Sequence, residues 1–513
     1  MTTGRGVAAT AEDVNRERLG LLLLLAFAAA LRFVDLPGRG TWDADQGHDL
    51  LVLRAFVRDG MVPLLGPPTS IGAFHHGALY YWLLAPLAAA SGADPLAVVA
   101  AIAAAGVAAV GVVWWLARAI AGPVAGFAAG GLMAVSASAI EESTFIWNPN
   151  LIALSSAVAL AAAWQAWTTG RPRWWVVAAI AQAVTMHCHV LGAVLLVPLA
   201  TFLLADARRR GAGPARRQVL FAGAAGLALI AASYVPLVVS ELGSGFAETR
   251  ALIEFLITDS DAGDPPLPVR LALVSLRVLS WPLTGLVTAQ PAAAIIVAFA
   301  IVAILAWRVR ASARREREAA GASVAVLGWS AVALAVISSS LARVVPGLPN
   351  DHYHAFLDPA VFVAAGLGVA ALWQRDVVGR IVAAAGVALV VALNVAIWPP
   401  RVAPDGGYPA AEQAARRILE TVGTERYRLV GLPKAKNADA YGFPLIRLGA
   451  LPSTDGRPAA TYLVIACDRL LEPLIGASCG GAAEDARAVE LGDINELVER
   501  FDASPRTTIS IYR

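Results

Sequence analysis

The sequence predicts an all-α polytopic membrane protein with about eleven transmembrane helices and a C-terminal extracytoplasmic α/β domain. Of its 513 residues, 58% are hydrophobic and 15% are charged, whereas soluble domains carry about 25% charged residues. Apolar runs of about 18 or more residues recur up to residue 398, separated by short links rich in Arg, Pro or Gly. After Trp398 the composition becomes that of a soluble domain. The formal net charge of +2, without a basic tail, argues against a nucleic-acid partner.

The apolar runs predict the individual helices. The first run follows a charged N-terminal segment. Because no convincing small-residue cleavage site precedes the next charged loop, we expect an uncleaved helix rather than a signal peptide. Transmembrane helices are expected at 19–36, 96–120, 124–140, 150–168, 174–188, 190–206, 218–240, 290–308, 323–342, 356–374 and 380–398.

Clusters of arginine predict the orientation of these helices, because short cytoplasmic loops hold the excess of Lys and Arg. The clusters lie at 171–173, 208–217, 308–317 and 374–380. All of them face the cytoplasm only if the N-terminus is inside and the C-terminus is outside. Arginine-rich composition with an excess of Ala, Gly and Val is typical of a GC-rich bacterial genome, so we expect a multi-pass protein of a bacterial plasma membrane.

Two further apolar segments, 75–92 and 271–287, must not cross the membrane if this orientation is correct. The uninterrupted apolar part of the first is about 14 residues long, short for a hydrocarbon core of about 30 Å. We therefore expect both segments to lie on the external membrane surface. In the first of them, Tyr80, Tyr81 and Trp82 are expected at the level of the lipid headgroups.

This topology collects the unusual polar residues on the external face, as an extracytoplasmic active site would require. They are Asp43, Asp45, His48, Asp49, His75, His76, Glu141, Glu142, Asn148, His187, His189 and the polar groups of 346–359. For the two glutamates a polar helix end facing water is the alternative. For His187 and His189 the alternative is a packed, neutral imidazole.

Residues 1–398 are expected to form the transmembrane domain, with a first external loop at 37–95, and residues 399–513 a separate α/β domain. In the second domain, an amphipathic pattern predicts a helix at 409–422 and another helix at 494–501. Strands are expected at 426–432, 460–467 and 507–513. Cys467 and Cys479 lie on the expected oxidising side of the membrane, where a disulfide between them is one of two alternatives.

The stretch "TWDADQGHDLL", Thr41 to Leu51, permits two interpretations. Its acidic residues can simply cap the helix that follows, with Asp45 as the N-cap. Alternatively, a carboxylate that is partly desolvated at a membrane surface has a raised pKa and can act as a general base. Residue chemistry alone leaves these alternatives balanced.

The order of motifs resembles a known family. Asp45-Gln46 follows the first predicted span, and "HHGALYYW", from His75 to Trp82, follows in turn. This arrangement resembles the polyprenyl-phosphate-sugar-dependent glycosyltransferases of family 39, members of the GT-C superfamily that include protein O-mannosyltransferases and lipid A aminoarabinose transferases. Gln46 replaces the second acid of the family's "D-E" pair, and Gly77-Ala78 replaces two prolines. A third similar element is "IEESTFIWNPN", from Ile140 to Asn150.

The resemblance implies roles for individual residues. It assigns Asp45 as the catalytic base, with Asp43 as the second choice. Asp45 and Glu142 are the candidates for holding a divalent cation, Mg²⁺ or Mn²⁺. Residues implied in binding the donor phosphate or substrate are His75, His76, Tyr81, Glu141, Glu142, Asn148, His352, Tyr353 and His354.

The function implied is transfer of a hexosyl or pentosyl group from a polyprenyl-phosphate donor to an extracytoplasmic acceptor, with inversion at the anomeric carbon. The acceptor class stays open among lipid, glycan and protein. Two alternatives are a transporter of lipid-linked glycans and a polysaccharide polymerase or ligase. A transporter would be expected to bury charges in the middle of its spans and to show internal repeats, and neither pattern is evident in the sequence.

Overall fold

The structure is a computed structural model that describes residues 11–69, 74–258, 265–311, 313–342, 351–434, 436–450, 460–491 and 496–513. Before the helical bundle, the chain forms one long helix and then a loop with short elements. In order, these are α1 (Ala11–Phe33), α2 (Leu36–Arg39), α3 (Ala44–Asp59), β1 (Leu65–Pro68), β2 (His75–Gly77) and α4 (Leu79–Ser91). Strands β1 and β2 pair in antiparallel fashion.

The bundle that follows is entirely helical. Its helices are α5 (Pro95–Ala121), α6 (Pro123–Val135), α7 (Ala137–Glu141), α8 (Ile152–Thr169), α9 (Arg173–Cys188), α10 (Leu196–Arg209), α11 (Pro214–Ser233), α12 (Val235–Ser244), α13 (Ala247–Thr258), α14 (Leu267–Thr284), α15 (Pro291–Arg308), α16 (Arg314–Ile337), α17 (Asp358–Trp373) and α18 (Val377–Ala396). Short 3₁₀ turns lie at Asn148–Leu151, Val190–Leu195, Ser339–Ala342, Asp351–Tyr353 and Ala355–Leu357.

Nine helices of the described residues are long and apolar enough to cross a membrane, compared with about eleven predicted. Three predicted spans fall outside this set. Helices α6 and α9 have only 13 and 16 residues, and the first two turns of α1 carry several charges. The α-helical membrane architecture is confirmed, and the difference lies in short or charged helices that length and composition alone do not count.

Helix α14 is one of the nine, although the sequence predicted an interfacial segment at 271–287. The C-terminal end of α14 lies where the chain leaves the bundle for the C-terminal region. There the Asn394 amide donates a hydrogen bond to the Leu283 carbonyl at 2.8 Å, and Gly285 packs closely against Ile397. The interfacial placement of α14 therefore stays a prediction.

Helix α17 lies at the centre of the bundle, where it packs against α5, α6, α15 and α18. Burial of α1 against the bundle depends on Arg32, which is fully buried at the end of that helix. Its guanidinium donates hydrogen bonds to the carbonyl groups of Ala28, Met133 and Ala134 and to the Ser143 hydroxyl, at 3.2–3.3 Å. A buried charge must be satisfied by hydrogen bonds in this way, and these bonds attach α1 to α6 and to the turn after α7.

The C-terminal region forms a four-stranded sheet flanked by helices. Its elements are α19 (Gly407–Val422), β3 (Tyr427–Leu432), α20 (Asp439–Arg447), β4 (Tyr462–Asp468), α21 (Glu472–Ile475), α22 (Ala482–Leu491), β5 (Leu497–Ser504) and β6 (Thr507–Tyr512). The strand order is β3-β4-β6-β5, with β3 parallel to β4 and the other pairs antiparallel. The boundary at 398/399 stays a prediction.

Most of the expectations for this region are confirmed. Helix α19 and strands β3, β4 and β6 occur where they were predicted, and Cys467 of β4 forms a disulfide with Cys479. The helix predicted at 494–501 is wrong, because Leu497–Ser504 is a strand that pairs with β6.

Candidate functional site

A cavity of about 410 Å³ lies between the loop of residues 37–95 and the ends of the bundle helices. Five of the predicted site residues line it together, although they come from four separate segments of the chain. They are Asp45, His76, Asn148, His352 and Tyr353. The other residues lining the cavity are Pro68, Thr69, Trp147, Pro149, His189, Val190, Leu191, Phe255, Ile337, Ser338 and Ser340.

Asp45 lies in the first turn of α3 with its side chain at the cavity. The Asp45 side chain is exposed to the cavity, and its partial desolvation there, together with the neighbouring Asp43 carboxylate, raises the pKa of Asp45 above its ordinary value. The positive charges of Lys436 and His48 and a hydrogen bond with the Trp147 side chain act in the opposite direction. A carboxylate with a raised pKa that faces a cavity has the properties of a general base.

Asp43 occupies a different environment from Asp45. It is the N-cap of α3, and its carboxylate accepts a hydrogen bond from the Ala44 amide at 2.7 Å. The ammonium group of Lys436, from the C-terminal region, lies 2.8 Å from the same carboxylate. Lys436 also forms an ion pair with Asp468. Asp43 therefore caps α3 and forms an ion pair with Lys436. The expectation from the sequence that Asp45 is the N-cap of α3 is wrong, because the N-cap lies two residues earlier.

Gln46 stands where the family has a second acid, and the structure gives a physical reason for the amide. The Gln46 Oε1 atom accepts a hydrogen bond from the Asp43 amide at 2.8 Å, completing a capping box. Its Nε2 atom donates to the Ile146 carbonyl at 2.9 Å. An ionised carboxylate could make the first bond but could not donate the second, so Gln46 connects α3 to the segment that contains Trp147.

Three imidazoles meet in the cavity. The His76 and His189 rings lie 5.1 Å apart, and the His189 and His352 rings lie 5.6 Å apart, measured between ring centroids. Tyr353 lies 5.0 Å from His189, and Trp147 lies 4.2 Å from His352. The cavity is therefore lined by aromatic and imidazole rings around one carboxylate.

Burial controls the charge of two of these imidazoles. It lowers the pKa of His76 to about 4, with smaller contributions from His75 and His187. Burial likewise holds the pKa of His189 well below its ordinary value, assisted by His76 and His352. Both rings are consequently neutral at pH 7.

Comparisons with known proteins bear on this geometry. Residues 75–236 match the family model described as dolichyl-phosphate-mannose-protein mannosyltransferase. The structure is similar to apo ArnT from Cupriavidus metallidurans, with 16% identity, a TM-score of 0.59, and coverage of 97% of this chain and 98% of that one. ArnT from the same organism bound to undecaprenyl phosphate gives 14% identity, a TM-score of 0.59, and coverage of 96% and 97%. The chain has a GT-C fold. The resemblance expected from the sequence is thereby confirmed.

No curated protein sequence matches the chain. The matched segment of the GT-C fold contains His76, Asn148 and His189, whereas Asp45 precedes it and His352 follows it. The role of each site residue therefore depends on its position in this structure.

His75 and Tyr81 do not line the cavity. The His75 ring nitrogen Nδ1 lies 2.9 Å from one carboxylate oxygen of Glu248. The other carboxylate oxygen of Glu248 accepts a hydrogen bond from the His75 amide at 2.6 Å. The hydroxyl groups of Tyr80 and Tyr81 donate hydrogen bonds to the two carboxylate oxygens of Asp49, at 2.9 and 2.7 Å. Both tyrosines are buried within the protein and do not face lipid headgroups, and their level relative to the membrane surface stays a prediction.

The pair Tyr80–Tyr81 instead attaches α4 to α3 through Asp49. Trp82 is the partly exposed member of the motif, and its indole donates to the Pro63 carbonyl at 3.1 Å. Burial raises the pKa of Asp49 to about 7, while the two tyrosine hydrogen bonds oppose this increase. The Asp49 carboxyl therefore titrates near neutral pH. It lies four residues after Asp45 on the same helix, α3.

Glu141, Glu142 and His354 also lie outside the cavity lining. Burial raises the pKa of Glu141, and burial together with Glu141 and Asp351 raises the pKa of Glu142 above its ordinary value. His354 is fully buried, with its Nε2 atom 3.0 Å from Asp351. Asp351 also forms a buried ion pair with Arg277 at 2.7 Å.

Glu141, Glu142 and Asp351 form an acidic cluster outside the cavity lining. Asp45 lines the cavity and Glu142 does not, so one cation held by both stays a prediction. In the described residues, the three potential metal ligands found close together are Cys467, Cys479 and Glu484. The two cysteines are joined in a disulfide and so do not offer the thiolates that bind metals. Of the segment 346–359, residues 346–350 lie outside the described residues.

His189 also lines the cavity, although the resemblance implied no binding role for it and the sequence placed it only on the predicted external face. Its signal was an ionisable residue at the junction of two short apolar runs, which also fits a packed, neutral side chain. The Asn148 amide donates a hydrogen bond to the carbonyl of Cys188, the residue before His189. Thus the Asn148 side chain, itself at the cavity, fixes the backbone that presents the imidazole.

Proposed function

We propose that the protein transfers a sugar from a polyprenyl-phosphate donor to an acceptor outside the cytoplasm, with inversion and with Asp45 as the base. The observation that carries this proposal is the cavity in which Asp45, with its raised pKa, faces three imidazoles. The GT-C fold shared with ArnT, one structure of which contains undecaprenyl phosphate, supports the donor class.

The proposed reaction is a single displacement. Asp45 accepts the proton of the acceptor hydroxyl group while the acceptor oxygen attacks the anomeric carbon of the donor sugar. The bond between that carbon and the phosphate oxygen breaks, and polyprenyl phosphate leaves on the opposite face. The chemistry needs positioning and stabilisation of charge more than covalent participation of the protein. A single base on one face gives inversion.

The proposed location is a bacterial plasma membrane with the cavity on the external side. An external site explains the donor class, since no nucleotide sugar is available there and the sugar must arrive on an amphiphile. The acceptor is a lipid, a glycan or a protein, and the transferred group is a hexose or a pentose.

The test is the Asp45→Asn variant in purified, full-length protein. Removing a general base lowers the rate of proton transfer by about 10²–10⁴-fold, so transfer from a polyprenyl-monophosphate sugar should fall by about this factor or become undetectable. Binding of undecaprenyl phosphate and the thermal unfolding midpoint should be retained. Transfer is measured by release of polyprenyl phosphate and by labelled product.

The matched control is Asp43→Asn, which keeps a side-chain oxygen for capping α3. This variant should retain more transfer activity than Asp45→Asn. Near-wild-type turnover in Asp45→Asn, with loss of turnover in Asp43→Asn, would show that the base is Asp43. Movement of the donor lipid across vesicles without cleavage of the sugar–phosphate bond would favour a transporter instead.

A further inference from the structure

The cavity combines an acidic group with an expected anionic ligand. Asp45 is the carboxylate at the cavity, and none of the described residues that line it is a lysine or an arginine. The phosphodiester of a polyprenyl-phosphate sugar carries one negative charge. Transferring such an anion from water into a buried site beside a carboxylate costs free energy unless a positive charge compensates.

The three imidazoles are the groups of the described lining that can supply this charge. His76 and His189 are 7% and 5% exposed, and they come from β2 and from the junction after α9. The Nδ1 atom of His76 is buried and has no hydrogen-bond partner among the described residues. A buried polar atom without a partner is costly to leave unsatisfied, and the His76 side chain that carries it lines the cavity.

We propose that the donor phosphate is bound by the imidazoles of His76, His189 and His352, and that binding protonates at least one of them. This inference rests on the proposed function and deepens it, because it makes donor recognition a proton-linked step. The proton is taken from solvent when the phosphodiester enters. The resulting imidazolium donates hydrogen bonds to phosphate oxygens, and it remains beside the phosphate as the sugar–oxygen bond breaks and negative charge accumulates there.

The charged and titratable groups around these rings agree with this assignment. His76 faces His75 and His187, and each neighbouring imidazole disfavours its protonation. His189 faces His76 and His352 in the same way. From α3, Asp45 presents a carboxylate to the same cavity. Without a bound anion the His76 and His189 rings are neutral, and a bound anion reverses this balance because an opposite charge at hydrogen-bond distance favours the protonated imidazole.

The sign of the pH dependence follows from linkage. The pKa of His76 in the free protein is about 4, and a bound phosphodiester raises it. Affinity is therefore greatest below the pKa of the bound state and decreases as pH rises through the interval between the two pKa values. Within that interval the dissociation constant should increase by about tenfold per pH unit for each proton taken up.

The experiment uses full-length protein in nanodiscs and the monomethyl ester of undecaprenyl phosphate. This diester keeps one negative charge from pH 5 to pH 9 on ordinary phosphate chemistry, and it has no sugar to transfer. Isothermal titration calorimetry at pH 7 in two buffers with different ionisation enthalpies measures the protons taken up. The expected result is uptake of about one proton and a Kd that increases about tenfold per pH unit. Undecaprenol is the ligand without phosphate, and its binding should release or take up no proton.

Variants identify the groups involved. His76→Gln and His189→Gln should reduce proton uptake and weaken binding of the diester, with binding of undecaprenol unchanged. His75→Gln is the comparison variant, since His75 binds Glu248 away from the cavity; proton uptake should be retained in it, and its Kd for the diester should change less than that of His76→Gln. Because a buried variant can fail to fold, His352→Gln, nearer the surface, is measured in parallel with the unfolding midpoint of each protein.

The outcomes separate this inference from the proposed function. Tight binding of the diester without proton uptake or pH dependence overturns the histidine assignment and leaves the transferase proposal intact. Equal affinity for the diester and undecaprenol at every pH, together with no sugar transfer, overturns both. Proton uptake that persists in all three histidine variants also overturns the assignment.

Discussion

Asp49 is a carboxyl group placed in a fully buried position, between two tyrosine hydroxyl groups. Burial raises its pKa to about 7 in the folded protein, whereas an exposed aspartate has a pKa of about 3.9. Because the folded state holds the proton more tightly than the unfolded state, Asp49 stabilises the folded state fully below about pH 4. This contribution is lost as the pH rises through about 7.

The prediction at this scale concerns the Asp49→Asn variant. Between pH 4 and pH 7 the free energy of unfolding of the wild type should decrease by up to about 1.4 kcal/mol per pH unit through this one group. An asparagine side chain cannot ionise, so Asp49→Asn should show a shallower decrease over the same interval. The measurement is the thermal unfolding midpoint in detergent at several pH values.

The control for Asp49→Asn is Asp59→Asn, at the exposed C-terminal end of the same helix. That variant should keep the pH dependence of the wild type. Parallel curves for the wild type and Asp49→Asn would contradict a proton held at this carboxyl group. A shift common to both variants would point to a general effect of lost negative charge on α3.

At the scale of elements, the placement of Asp45 depends on how α3 packs against α20 of the C-terminal region. The His48 ring nitrogen lies 2.9 Å from the Asp439 carboxylate, and the Trp42 indole donates to the Ala440 carbonyl at 2.7 Å. Between these contacts lies Gly47, which has no side chain to separate the two helices. Asp45 and the C-terminal region are thus parts of one packed unit.

Gly47→Ala tests this packing. A Cβ atom at Gly47 would lie 2.1 Å from the Asp439 carbonyl oxygen, a backbone atom that cannot rotate away. Overpacking of this kind costs about 1–3 kcal/mol, so the unfolding midpoint should fall. Transfer should decrease as well, because Asp45 is two residues away on the displaced helix. Both quantities are measured on purified, full-length protein.

Gly243→Ala is the matched control, since Gly243 is also helical and nothing lies within 4 Å of the added Cβ. Alanine has the higher helix propensity, by about 1 kcal/mol, so this variant should be as stable as the wild type or slightly more so. Equal midpoints and equal transfer rates for the two alanine variants would mean that α3 does not depend on its contact with α20.

Elements with a strong hydrophobic periodicity were predictable from the sequence. Elements whose conformation depends on pairing with another strand were not. Helix α19 has a regular amphipathic pattern and was predicted correctly. Strand β5 was predicted as a helix because Ile494, Leu497, Val498 and Phe501 have helical spacing. Pairing with β6 decides its conformation, and β5 is an edge strand with only one neighbour, so little of it needs to be apolar.

The candidate site shows the same division. Asp45, His76 and His352 were predictable as residues of one face, because orientation and motif order are local properties of the sequence, and they line one cavity. The direction of each side chain was not predictable. His75 and His76 are adjacent, yet one binds Glu248 and the other lines the cavity, a difference set by contacts with residues more than a hundred positions away.

At the scale of the whole molecule, three contacts hold the C-terminal region against the part of the chain between α1 and α5. Asp405 accepts a hydrogen bond from the Trp42 amide at 3.0 Å, and the Ala403 amide donates to the Gly38 carbonyl at 2.8 Å. Arg447 forms an ion pair with Asp94 at 2.6 Å. The cavity, the loop of residues 37–95 and the C-terminal region must therefore lie on the same side of the membrane.

The sidedness of the molecule is the prediction on which the proposed external site depends. The arginine clusters predict that residues 208–217 lie inside, which would put the shared face of the cavity and the C-terminal region outside. Single cysteines at exposed positions can report this, because Cys188 is buried and Cys467 is joined to Cys479. Gln413, on α19, and Arg216, at the start of α11, are both exposed.

In intact cells, a membrane-impermeant maleimide should label the Gln413→Cys variant and leave Arg216→Cys unlabelled. After permeabilisation both variants should be labelled to a similar extent, which controls for reactivity of the two introduced thiols. The wild type should remain unlabelled under both conditions. Labelling of Arg216→Cys alone in intact cells would invert the topology, move Asp45 and the three imidazoles to the cytoplasmic side, and remove the reason for a lipid-linked donor.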